Sequence, residues 1–237
     1  MSSTAENYIN SVYRPVIENT IEICPGRNYN GPENLMRWTS WNASNPLAPK
    51  WDVPLWYDNL PDEFIDNIIG KIYSIEKELG DWKHYNLFSW SDQFPFVNKL
   101  LLLLKTMYSW YMEELEYDYP EKIYIRGWLN ILQPGELLPV HSHSFHENSF
   151  LSGNILLTDS EVSTEYIIPN YSTYCGNYLA GKTKGSVLLF PSWVEHFVPV
   201  VKEKRYCLAF DFYTDTSIEY LQKNYREFDP MQLSIEC

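Results

Sequence analysis

Histidine is scarce in this chain and clustered where it occurs. Only five are present among 237 residues, and three of them (His141, His143 and His146) fall within "PVHSHSFHEN". A fourth, His196, stands in "GSVLLFPSWVEHFVPV"; the fifth is His84. Read as a strand, "LLPVHSH" sends alternate side chains to opposite faces. Leu137, Pro139, His141 and His143 then share one face, so two imidazoles point into the same space. Neutral imidazole is the commonest metal ligand, which makes a cation the economical partner for the pair. The cysteines Cys24, Cys175, Cys207 and Cys237 are scattered with no CxxC pair. That argues against a thiolate zinc site and for reduced thiols in a cytoplasmic protein.

A third ligand must come from elsewhere. His196 opens a strand directly after "PSWVE", placed to meet His141 and His143 across a small barrel, and Glu147 could add a carboxylate. Histidine ligation that leaves coordination positions open is the pattern of non-haem Fe(II) oxygenases. The plain alternative is that HxH marks ordinary core or surface histidines. The second segment and the near absence of histidine elsewhere weigh against it. His84 reads as structural and His146 as a loop residue or an outer neighbour of the site. Arg205 is an independent clue. In "KRYCLAFDFY" the residues Tyr206, Leu208, Phe210 and Phe212 form an apolar face, and Arg205, Cys207, Ala209 and Asp211 form the other. If the apolar face packs on helices, Arg205 points into the barrel, where a guanidinium needs an anion and grips carboxylates bidentately. An ion pair with Asp211 or another acid of this acidic chain is the bland reading.

The elements that must position these groups are legible in outline. "PDEFIDNIIGKIYSIEKELG" spaces its apolar residues at i, i+3 and i+4 from Phe64 to Leu79, which predicts an amphipathic helix with Asp62 as N-cap and Gly80 as terminator. A second helix is expected over about 97–115. Residues 1–60, rich in Trp, Pro and Asn, read as irregular chain with short strands. Beyond residue 120 at least seven short β-rich runs, separated by turn residues, imply an all-β sandwich or barrel. The expected organisation is one domain over 1–237: an irregular and helical support at 1–120, a jelly-roll core at 121–213 and an extension at 214–237. A net charge of −13 disfavours nucleic acid and anionic membranes as partners. The longest leucine run, Leu100–Leu104, is far short of the ~20 residues of a membrane span, and no basic-then-apolar leader opens the chain. Oligomeric state is left open.

On these residues the chain resembles the Fe(II)/2-oxoglutarate-dependent oxygenases, most closely a small bacterial and phage-type subgroup of unassigned substrate. "WLNILQPGELLPVHSH", "FLSGNILL", "SVLLFPSWVEH" and "RYCLAFDF" follow in that subgroup's order over about residues 122–213. "VPLWYDNLPDEFIDNI" matches its opening more loosely. The resemblance implies a mainly β fold with N-terminal helices, built on a double-stranded β-helix (jelly-roll, cupin-like) core. It implies His141, His143 and His196 as metal ligands and Arg205 as the holder of the distal carboxylate of 2-oxoglutarate. Asn130 and Trp128 would line the cofactor and substrate pocket, and Trp193 would form a substrate wall. The chain departs from most members in having His-x-His where they have His-x-Asp or His-x-Glu. An alignment that uses His146, or Glu147 as the carboxylate ligand, is the alternative.

The chemistry so implied is hydroxylation of a small metabolite, amino acid or peptide side chain by O2, with 2-oxoglutarate converted to succinate and CO2 at Fe(II). Two other readings compete. Gly135, His141, His143 and Glu147, with Gly185, Pro191 and His196, also match the spacing of cupin metal sites that do not use 2-oxoglutarate. A non-catalytic jelly-roll binding protein is the other. Residues 158–184, polar and rich in Tyr, read either as a lid or as a surface excursion.

Overall fold

The structure is a computed structural model that describes residues 34–40, 46–47, 50–78, 85–118, 120, 122–144, 149–169, 176–224 and 231–234. His84, His146, Glu147, Gly80 and three of the four cysteines lie outside the described residues. In chain order the elements are β1 (Leu35–Thr39), β2 (Asp52–Asn59), α1 (Asp62–Ile75), α2 (Pro95–Glu114), β3 (Lys122–Leu132), β4 (Leu138–His141), β5 (Leu151–Leu156) and β6 (Glu165–Tyr166). They continue with β7 (Tyr178–Leu179), β8 (Ser186–Pro191), β9 (His196–Val198), β10 (Arg205–Tyr213), α3 (Asp215–Asn224) and β11 (Met231–Ser234).

The strands form two antiparallel sheets, a major one ordered β1-β2-β8-β5-β10-β3-β11 and a minor one ordered β4-β9-β6-β7. Helices α1 and α2 cover the outer face of the major sheet. Ile65, Ile68, Ile69 and Ile72 from α1 and Leu100, Leu104, Met107 and Tyr108 from α2 join Leu208, Phe210 and Phe212 of β10 in one apolar cluster. The minor sheet covers the other face, where Tyr166 and Ile168 meet Leu55, Leu188 and Phe190. This is the expected mainly β fold with a jelly-roll core and N-terminal helices. Because both faces of its sheet are covered, all nine residues of β10 are buried.

Two glycines let the layers close. A Cβ on Gly127 would run into the ring of Phe88, and one on Gly153 would lie 2.5 Å from the ring of Phe210. The "LSG" of β5 is therefore a packing requirement of the helix-side core.

One expectation needs correction. Asp62 is the first residue of α1, not its cap; Pro61 holds the cap position with extended backbone (φ −58°, ψ 140°) and no side-chain cap bond forms. Asp62 and Glu63 instead place negative charge in the first turn, where the helix dipole favours it. Within residues 1–60, expected to carry short strands, β1 and β2 extend the major sheet from β8. Beyond the core, α3 packs Ile218 and Leu221 against Tyr213, and β11 pairs with β3. Among the described residues no helix is long and apolar enough to cross a membrane.

Candidate metal centre

His141 and His196 sit opposite each other in the β4–β9 pairing, and His196 also faces Tyr166 across β9–β6. His143 lies two residues past the end of β4. Its backbone N–H donates to the carbonyl of Ser192 in the turn between β8 and β9, 2.9 Å away. The alternation expected for a continuous strand is thus replaced by a short strand and a tether. The outcome for the rings is the same. Their centroids are 5.4 Å apart for His141–His143, 4.3 Å for His141–His196 and 5.1 Å for His143–His196. One ligand atom from each can be chosen so that all lie within 4.8 Å of one another.

In each ring one nitrogen is already committed. Nδ1 of His141 bonds the carbonyl of Pro139 at 2.8 Å, Nδ1 of His196 the carbonyl of Val194 at 3.1 Å, and Nδ1 of His143 the carboxylate of Asp211 at 2.5 Å. Each Nδ1 is therefore committed to an acceptor, which leaves Nε2 as the nitrogen able to turn to a metal. Burial, then the neighbouring His143 and His141, push the His196 imidazole well below its ordinary pKa; burial first and His143 next lower His141. Neutral imidazoles with free Nε2 atoms are the form that binds a divalent cation. The rings are held by aromatic walls: Tyr166 stacks on His196 at 5.3 Å, and Phe190 stands edge-on to His196 at 5.0 Å.

Beside His143 and His196 opens a narrow cleft, lined by Asn130, Asn154, Thr164, Arg205, Cys207 and Ala209 among others. Arg205 is 3% exposed. One guanidinium NH2 group donates to Thr164 Oγ1 at 2.9 Å, while the buried Nε has no partner. The ion pair with Asp211 does not form: Asp211 bonds His143 instead. A guanidinium so buried without a carboxylate is costly, and a bound anion relieves that cost. The donor set fits a divalent cation, and the chemistry of Arg205 fits the anionic end of a carboxylate ligand.

The other candidate residues divide. Asn130 is half-buried on the barrel face of β3, opposite Cys207. Trp128 is 6% exposed, and its ring lies 5.5 Å from that of His143. Trp193 sits in the β8–β9 turn, 39% exposed. Sequence reasoning did not single out Thr164 and Tyr166 as site residues; the described parts of residues 158–184 supply β6 and β7 of the minor sheet. It also missed Asn154, Ser152 and the bond from Asp211 to His143, although strand alternation had already put Asp211 on the inner face.

No family model and no curated protein matches the sequence. Solved structures do match. A Pseudomonas putida prolyl-4-hydroxylase aligns at TM-score 0.52 with 13% identity, covering 67% of this chain and 87% of that one. A Trichoplax adhaerens prolyl hydroxylase, solved with a hypoxia-inducible-factor peptide fragment, aligns at 0.53 with 9% identity, covering 70% and 86%. The α-ketoglutarate-dependent epimerase SnoN, from nogalamycin biosynthesis, aligns at 0.50 with 10% identity, covering 74% and 87%. The chain has the double-stranded β-helix fold that these non-haem enzymes share.

Proposed function

We propose that the chain is a non-haem Fe(II)- and 2-oxoglutarate-dependent oxygenase that hydroxylates a small metabolite, an amino acid or a peptide side chain. The observation that carries this reading is the pairing of two features on one inner face. Three imidazoles each bring a ring nitrogen within 4.8 Å of the others, and Arg205 lies beside them, buried with an unpartnered Nε. In this reading His141, His143 and His196 hold the metal. Arg205 and Thr164 hold the distal carboxylate of 2-oxoglutarate, and Asn130 lines the cofactor pocket. Trp128 and Trp193 belong to the substrate side.

The residues have separable tasks. Arg205 fixes one end of the co-substrate so that its keto-acid end faces the three imidazoles. Phe190 and Tyr166 keep water from the buried flank of the centre, which strengthens every charge interaction there. His141, the least buried of the three, marks the side open to substrate. When bound, Fe(II) with 2-oxoglutarate supplies the oxidising chemistry, consuming O2 and releasing succinate and CO2.

The unpartnered Nε of the buried Arg205 is also what disfavours a cupin-type site without 2-oxoglutarate, in which a buried guanidinium would have no task. The substrate remains at the level of class. One structural neighbour is a prolyl hydroxylase solved with a peptide, and another is an epimerase; a peptide or a small molecule both suit this centre. The test is anaerobic loading with Fe(II), then incubation with 2-oxoglutarate and O2 while succinate is measured. Succinate formation that requires His196 and Arg205 supports the reading. Stoichiometric iron with no 2-oxoglutarate turnover under any candidate substrate overturns it in favour of the cupin-type site.

A further inference from the structure

The three Nδ1 atoms are not held alike. His141 and His196 each use a backbone carbonyl two residues back. His143 uses the side chain of Asp211 at 2.5 Å, and the two side chains are only 8% and 4% exposed. That carboxylate is fixed from two further sides: Ser152 Oγ donates to Oδ1 at 2.6 Å, and the Tyr213 hydroxyl donates to Oδ2 at 2.9 Å. Ser152 Oγ lies 2.8 Å from Ser192 Oγ, and the Ser192 carbonyl accepts the backbone N–H of His143. His143 is thus clamped in a closed circuit running through Ser192, Ser152 and Asp211 and back to its own ring.

The placement answers a problem of charge. Among the described residues the group able to hold a metal is three imidazoles with no carboxylate. Neutral ligands leave a divalent ion's charge uncompensated in a buried site, and a carboxylate hydrogen-bonded behind a ligating imidazole fixes its tautomer and strengthens it as a donor. We propose that Asp211 is the positioning residue of the metal centre, supplying through His143 the negative charge that no described side chain brings to the ion directly. Ser152 and Ser192 hold it in place. This rests on the proposed metal-binding role of the triad, and it assigns Asp211, Ser152 and Ser192 a task that the ligand set alone does not.

The test uses the full chain with Co(II) as probe, reading the dissociation constant and the visible absorption spectrum of the bound ion. Asp211→Asn keeps the shape and removes the charge; it should weaken Co(II) binding by ~10–100-fold and shift the absorption bands. Ser152→Ala keeps the carboxylate and removes one of its donors, and should weaken binding to a smaller extent. Asp58→Asn is the structural control, a carboxyl 2% exposed in β2 and outside this circuit, and it should bind Co(II) as the parent does. A folded Asp211→Asn variant with the parent's affinity and spectrum overturns the inference while leaving the metal site intact. If that variant does not fold, Ser152→Ala decides: weakened binding supports the inference and parental binding overturns it. A parent chain that takes up no Co(II) overturns the metal-site reading itself, which is a distinct result.

Discussion

The two faces of β10 are equally buried and do different work. Tyr206, Leu208, Phe210 and Phe212 join the apolar cluster under α1 and α2. Arg205, Cys207, Ala209 and Asp211 face the barrel, where Arg205 keeps an unpartnered Nε and Asp211 collects three donors. Burial by itself therefore does not separate structural from functional residues on this strand. What separates them is unfinished polar business: a hydrophobic face is complete when packed, whereas a buried fork of N–H groups is complete only with a ligand. If the division is real, substitutions at neighbouring positions should fall into two groups, one changing stability and the other changing ligand binding.

The largest effect should come from the helix side. Phe210 is fully buried, packed on Phe212 and against Gly153. Phe210→Ala should cost about 3–5 kcal/mol in denaturant unfolding, while the protein that remains folded binds metal with parental affinity. A folded variant whose metal affinity falls with its stability would show that the two faces are coupled.

On the barrel face, His196→Ala removes a ligand outright. Its metal affinity should fall by more than the ~10–100-fold that loss of an outer partner costs, with thermal stability of the metal-free protein little changed. Equilibrium dialysis against Mn(II) beside a melting curve reads both quantities. Arg205→Ala should raise the 2-oxoglutarate KM roughly 100-fold, as expected for losing charge-assisted hydrogen bonds worth about 1.5–3 kcal/mol each. Arg205→Lys should recover only part of that, because an ammonium restores charge without the planar fork. Succinate formation at varied 2-oxoglutarate gives the numbers, and an unchanged KM in both variants would remove Arg205 from the co-substrate site.

The division was visible in the sequence where it depends on period, and hidden where it depends on partners. The alternation of "RYCLAFDFY" separates its faces correctly because a strand of nine residues leaves no other parity. The isoleucines of α1 name their buried stripe in the same way. His141 and His143 share a space for a different reason than alternation supplied, since β4 ends at His141 and the Ser192 carbonyl tethers His143 beyond it. Asp211 was placed on the inner face, but its partner could not be read. Arg205 stands six residues away along the same strand, roughly 20 Å at the strand rise, whereas His143 arrives from the other sheet. Tyr166 and Thr164 come from a β-rich run whose sheet partner composition does not give. Only the pairing of β6 with β9 shows that it walls the site.

A second buried acid gives the finest test of the comparison. Asp58 belongs to β2, 2% exposed, where it accepts the Asn59 N–H at 2.7 Å. Burial, and to a lesser extent Glu114, raise its pKa from 3.8 to about 6. A carboxyl whose folded pKa exceeds its unfolded one stabilises the fold fully below the unfolded value, and that contribution is lost as pH rises through about 6. The loss is on the order of 1–3 kcal/mol. Asp58→Asn keeps the acceptor and removes the ionisation, so the decline in unfolding free energy between about pH 4 and pH 7 should flatten by that amount relative to the parent. Denaturant midpoints across that range measure it, and an unaltered slope would show that Asp58 reaches solvent in its ionised form. The contrast with Asp211 is in the donors: three side chains converge on the acid behind His143, while Asp58 is given one backbone N–H. A fold that selected buried carboxylates for stability alone would equip both alike; the extra side-chain donors on the one behind His143 are what the proposed cation site calls for.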